Sequence, residues 1–233
     1  MLTCVRLGDV ITAERYLELL DDHLPELVVG AHVYGSQVLG DVVSDSDLDI
    51  VIELSAPASL PEVRGADVAA VLAGSLEKPV FDVNPLAGEV TPVLWQQLRT
   101  VGQTVRGARP TCPGTAAEVE AYCRENLISY WMPNIEQGRA AMTNWPAGKL
   151  VPCEGLLWAG LGPARLWHTI RTGGIVSKSR AGELAAARWP DLAPLIIDLV
   201  ASRRGEDVPL TVGHLRASVD LFDRILVDLD VTT

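Results

Sequence analysis

The stretch Val33–Glu53, VYGSQVLGDVVSDSDLDIVIE, decides how the N-terminal half folds. Leu27–Tyr34 and Leu48–Leu54 are apolar, β-rich runs of strand length, and the Gly- and Asp-rich residues between them can continue neither run as regular structure. The pattern reads as strand, turn or short helix, strand. Gly35-Ser36 leaves the first strand and Asp47-Leu48-Asp49 opens the second, a G-S-x10-D-x-D spacing. Side chains two apart on a strand share a face, so Asp47 and Asp49 would present two carboxylates side by side. Two bare carboxylates repel. A divalent cation resolves the repulsion, and oxygen ligands with room for water favour Mg2+ held jointly with phosphates. Gly35 permits close backbone approach in a tight turn, while Ser36 offers a hydroxyl and a backbone N–H to a phosphate at the start of a helix. Together these residues suit a nucleoside triphosphate.

Outward from this stretch, residues 11–24, ITAERYLELLDDHL, carry Ile11, Tyr16, Leu17, Leu20 and Leu24 at helical spacing, and Pro25 stops the pattern. A helix is expected over Val63–Gly74, a third strand over Pro79–Leu86 and a fourth over Val101–Arg106. Asp82 is the one charged residue in that third stretch. If its strand neighbours the DxD strand, Asp82 would either complete the metal site or take the proton from an attacking hydroxyl. Arg106–Thr115, RGARPTCPGT, is the candidate linker. Beyond it helices dominate. Thr115 and Glu118 form a capping-box start for Thr115–Gln137, and Glu154–Thr172, Ser179–Arg188, Asp191–Ser202 and Val212–Leu229 follow. The expected class is α+β, with a mixed sheet and helices over residues 1–108 and a helical bundle over 109–233.

Composition narrows the function. The chain has 233 residues, 19 Lys+Arg against 30 Asp+Glu and a formal net charge of −11. That balance opposes binding to a phosphate backbone, so nucleic acid is not an expected partner. No uncharged apolar run reaches the ~20 residues a bilayer requires, and no signal segment opens the chain. Cys4, Cys112, Cys123 and Cys153 form no CxxC pair, which supports neither zinc ligation nor a disulfide scaffold. A soluble, cytoplasmic monomer is expected. Only Lys78, Lys149 and Lys178 are lysines, so each is an unusual choice.

VYGSQVLGDVVSDSDLDIVIEL resembles the signature of the polymerase-β-like nucleotidyltransferase superfamily. ARLWHTIRTGGIVSKSRAGELAAARWP, residues 164–190, is similar to the C-terminal helical domain of the aminoglycoside adenylyltransferases that modify streptomycin and spectinomycin. The resemblance implies transfer of AMP from ATP to a hydroxyl of such a drug, with release of pyrophosphate. It places phosphate binding on Gly35 and Ser36, Mg2+ on Asp47 and Asp49, and a further nucleotide contact on Ser46. The catalytic Glu of those enzymes stands in the next strand, where this sequence offers Asp82, one methylene shorter. Arg165 and Lys178 match the pair that reaches the triphosphate. From the residues alone, Arg165 reads rather as an exposed helix residue and Lys178 as a residue flanking a helix N-cap. For the cationic acceptor the candidates are Trp145, Glu154 and Trp158, although Glu154 equally suits a helix first turn. The rival expectations are the same chemistry on another small molecule or a protein side chain, or binding without transfer.

Overall fold

The computed structural model describes residues 11–44 and 46–231. The chain divides into two compact units, one ending at Val119 and one from Glu120 onward.

In the N-terminal unit the amphipathic opening segment forms α1 (Ala13–His23), capped where the Thr12 side chain accepts from the Arg15 N–H. The apolar runs on either side of the Gly- and Asp-rich segment form β1 (Val28–Val33) and β2 (Leu48–Leu54). Next come β3 (Ala66–Leu72), two 3-10 turns at Ser75–Glu77 and Val80–Asp82, α2 (Pro92–Thr100) and β4 (Gln103–Arg106). The sheet order is β3-β2-β1-β4, with β2 and β3 parallel and the other neighbours antiparallel. Alternation divides the sheet chemically. Leu48, Ile50, Ile52 and Leu54 of β2 face α1 through Tyr16, Leu17 and Leu20, whereas Val51 faces Leu94, Trp95 and Leu98 of α2.

Two expectations fail here. Val63–Gly74 is not a helix, because Ala66–Leu72 is a seven-residue strand bounded by Gly65 and Gly74, both at positive φ. Pro79–Leu86 is not a strand. Pro79 and Pro85 each lack a donor for a ladder, and only Leu86 and Ala87 bond to Ala70 of β3. α2 was not anticipated at all; Thr91 caps it and Pro92 occupies its first turn.

The Arg106–Thr115 stretch is pinned to the N-terminal unit. Thr111 donates through N–H and Oγ1 to Glu77 at 3.1 and 2.6 Å, Cys112 N–H donates to Leu76, and Arg99 donates to the Cys112 and Gly114 carbonyls. Cys112 and Cys123 are free and buried. Burial pushes both thiols up to about 12. Cys153 is disulfide-bonded, where the sequence offered no support for a disulfide scaffold, and Cys4 lies outside the described residues.

The C-terminal unit is helical. α3 (Ala116–Asn126), which begins within the N-terminal unit, starts with the expected capping box, in which Thr115 N–H donates to Glu118 and Glu118 N–H donates to Thr115 Oγ1. It runs through a π turn at Leu127–Trp131 into α4 (Met132–Ala141). Pro133 has no N–H for the carbonyl four residues back, so the helix widens there, and Asn134 Nδ2 takes up the Tyr130 carbonyl at 2.7 Å. α5 (Cys153–Thr172), α6 (Lys178–Arg188), α7 (Ala193–Arg203) and α8 (Val212–Asp228) complete the bundle around Trp131, Trp167, Trp189 and Phe222. Gly162 of α5 lets the Trp131 ring lie where a Cβ would stand, at 2.2 Å. No helix of the described residues is long and apolar enough to cross a membrane.

Candidate functional site

The site is built on one end of the sheet. β1 ends at Val33, Tyr34 N–H donates to the Asp49 carbonyl at 3.0 Å, and Gly35 then turns the chain at φ +69. A Cβ on Gly35 would fall 1.8 Å from Asp49 Oδ2, so only glycine lets the backbone lie against that carboxylate. Ser36 N–H donates to Asp49 Oδ2 at 3.3 Å. The chain continues from there as a hydrogen-bonded turn rather than the expected helix start: Leu39 N–H reaches the Gly35 carbonyl and Asp41 N–H the Ser36 carbonyl. The loop then closes on itself, with Val43 N–H donating to Ser46 Oγ at 2.9 Å. Ser46 therefore shapes the entry to Asp47.

Asp47 is exposed immediately before β2, and Asp49 is half-buried as the second residue of that strand. The parallel pairing with β3 sets Asp49 in register with Asp67. Asp67 is thus a second candidate for the third acid, one that the sequence reading did not single out. It stands on the strand beside the DxD strand, the position expected of Asp82, whereas Asp82 lies at the end of a 3-10 turn outside the sheet; both side chains are exposed. Its signal was present: Asp67 is the one charged residue of ADVAAVL, a run of strand length between glycines.

Electrostatics tie these groups together. Burial first, then the negative charges of Asp49 and Asp67, hold the Tyr34 phenol well above its usual range. Both carboxylates thus act electrostatically on one partly buried phenol. From α2, Gln97 reaches the turn, its Oε1 accepting from Gly35 N–H at 3.3 Å.

Among the described residues no group of three His, Cys, Asp or Glu stands ready to hold a metal. The donor set still fits Mg2+. Asp47 and Asp49 offer hard carboxylate oxygens from one short segment, and this ion accepts one or two carboxylates and completes its shell with water and phosphate oxygens.

In the other unit, Arg165 is half-buried within α5, close enough to Cys123 to act on its thiol electrostatically. Lys178 is the first residue of α6, after the Ser177 N-cap, and is half-buried. Glu154 is exposed in the first turn of α5. Trp158 packs at 4.4 Å from Trp131 and edge-on to Tyr130 at 5.8 Å. Trp145 is half-buried, its ring already carries the Lys149 ammonium 3.4 Å from the centroid, and its carbonyl accepts from Arg216. His168 bonds to Thr172, and burial and then the charge of Arg180 lower its pKa.

Residues 13–84 match the family model described as a nucleotidyltransferase domain. No curated protein matches the chain. Among solved structures, the fold is similar to that of the spectinomycin adenyltransferase AAD(9) from Enterococcus faecialis, determined with ATP and spectinomycin. The TM-score is 0.59 at 15% identity, over 90% of this chain and 96% of that one. The α+β layout expected from the sequence is the observed fold.

Proposed function

We propose that this nucleotidyltransferase, identified as such by the domain that residues 13–84 match, moves AMP from ATP to a hydroxyl of a streptomycin- or spectinomycin-like aminoglycoside and releases pyrophosphate. One observation carries the reading. The Gly35-Ser36 turn lies directly against the Asp49 carboxylate, with Asp67 in register beside it, so the groups that would take phosphate and metal are neighbours. The similarity to a spectinomycin adenyltransferase supports the choice of acceptor.

Asp47 and Asp49 would hold Mg2+, which supplies charge neutralisation on the phosphates when bound. The remaining steps belong to the chain. Ser36 gives its N–H and hydroxyl to a phosphate oxygen, and Ser46 keeps the loop before Asp47 folded. Asp67, in place of Asp82, takes the proton of the attacking hydroxyl as its oxygen bonds to the α-phosphorus and the bond to pyrophosphate breaks. Arg165 and Lys178 are assigned to the charge of the leaving pyrophosphate, a role that suits a forked and a point cation. Trp145, Glu154 and Trp158 are assigned to the cationic acceptor, with Lys149 leaving the Trp145 ring as the acceptor arrives.

The test is pyrophosphate release with Mg-ATP across streptomycin, spectinomycin and related drugs, with Asp47→Asn alongside. Drug-dependent release that falls on the order of 10²-fold or more in the variant is expected. A protein that binds Mg-ATP yet releases no pyrophosphate with any drug would lose this assignment.

A further inference from the structure

The two backbone N–H groups of the Gly35-Ser36 turn are held in different ways. Ser36 N–H is held by Asp49 Oδ2, a contact in which phosphate would compete for the donor and metal for the acceptor. A phosphate arriving at Ser36 must displace that contact. Gly35 N–H is held by the side-chain carbonyl of Gln97, a neutral acceptor that competes for neither. Because Gly35 N–H is a donor, the facing atom of the Gln97 amide is its oxygen.

Gln97 is also placed to stay where it is. It is 6% exposed, and the helix around it is fixed by buried Leu94, Trp95 and Leu98. Trp95 Nε1 donates to the Lys78 carbonyl at 3.0 Å, and the Gln97 carbonyl accepts from both Val101 and Gly102 N–H. A neutral amide is the right chemistry for this position. Glutamate would accept from Gly35 equally well but would add a third negative charge beside Asp49 and Asp67.

We propose that Gln97 is a positioning residue for nucleotide binding: it anchors the Gly35-Ser36 turn to α2, so that the turn keeps its shape when Ser36 N–H exchanges Asp49 for phosphate. This rests on the nucleotidyltransferase reading above. Gln97 acts through Gly35 and touches neither substrate nor metal.

The experiment compares wild type, Gln97→Met and Leu94→Ala by Mg-ATP titration calorimetry, thermal melting and the 15N–1H spectrum of the ligand-free protein. Gln97→Met keeps the volume and removes the acceptor, whereas Leu94→Ala loosens the same helix without touching the turn. Gln97→Met should weaken Mg-ATP about tenfold and shift the Gly35 amide upfield, while Leu94→Ala should melt at least as early with unchanged affinity. Gln97→Asn, with the amide withdrawn by one methylene, should follow Gln97→Met and serves if that variant does not fold. Mg-ATP affinity within twofold of wild type in the Gln97 variants, or an equal loss in Leu94→Ala, overturns the proposal. A wild type that binds no Mg-ATP overturns the function reading itself and this proposal with it.

Discussion

At the scale of the residue, the third acid is the sharpest question. Asp82 drew attention as a lone charge in an apolar stretch, but Pro79 and Pro85 keep that stretch out of the sheet. Asp67 has the better claim because the β2–β3 register, not its neighbours in sequence, brings it beside Asp49. Its charge reaches the same Tyr34 hydroxyl that Asp49 does. A general base must stand within hydrogen-bond reach of the proton it takes, and an aspartate extends one methylene less than a glutamate, so the pairing register matters more here than the side chain's length. Asp67→Asn should therefore lower kcat by on the order of 10²-fold with Mg-ATP affinity nearly kept, while Asp82→Asn should leave kcat within a factor of a few. Steady-state kinetics of the two variants decide between them. The opposite ranking would return the role to Asp82.

At the scale of the element, what was legible depended on whether the signal was local. β1 and β2 announced themselves as apolar runs between breakers, and α5, α6 and α8 by caps and glycines close to where they stand. β3 was misread because ADVAAVL is as alanine-rich as a helix, and pairing with β2 decided in favour of a strand. α2 has short apolar periodicity, so its docking through Trp95 and Leu98 was invisible, and with it Gln97. The candidate site followed the same division: Gly35, Ser36, Asp47 and Asp49 were readable from spacing, while Asp67 and Gln97 come from other elements. Long-range pairing also governs the helical unit. Asp228, at the end of α8, accepts from Trp167 Nε1 of α5 at 2.8 Å and from Arg188 of α6 at 2.7 Å. The Trp167 hydrogen bond, then Arg188 and Arg171, hold its carboxyl below the usual carboxylate range. A depressed folded pKa adds stability that is complete above the unfolded value of about 3.9 and is lost as pH falls through the folded one. Asp228→Asn should thus lower Tm at pH 7 by about 2–8 °C, from roughly 1–2 kcal/mol of lost bonding. Melting curves from pH 7 to 3 should show that gap closing below about pH 4. A gap that is constant across the range would place the stabilisation elsewhere.

At the scale of the molecule, the charge is divided as unevenly as the secondary structure. Up to Val119 the sequence holds 17 acidic and 7 basic residues, a net of −10, whereas from Glu120 onward 13 acidic residues meet 12 basic ones, a net of −1. Nearly all the −11 belongs to the unit that carries the DxD pair. A triphosphate gains nothing from that field and must rely on metal and local donors. A polycationic acceptor is attracted by it from beyond contact distance, over a Debye length of about 8 Å at physiological salt. The two substrates should therefore answer differently to ionic strength. Raising salt from about 50 to 500 mM should lower kcat/KM for the acceptor roughly tenfold, more steeply for acceptors with more ammonium or guanidinium groups, and change kcat far less. The KM for Mg-ATP should hold steady or fall over the same range, because screening relieves its repulsion from the acidic unit. Initial rates with acceptors of two and of four or more positive charges measure both slopes. Equal slopes would show that recognition is local, through groups such as Glu154 and the aromatic rings, and that the acidic excess of the N-terminal unit has no part in drawing the acceptor in.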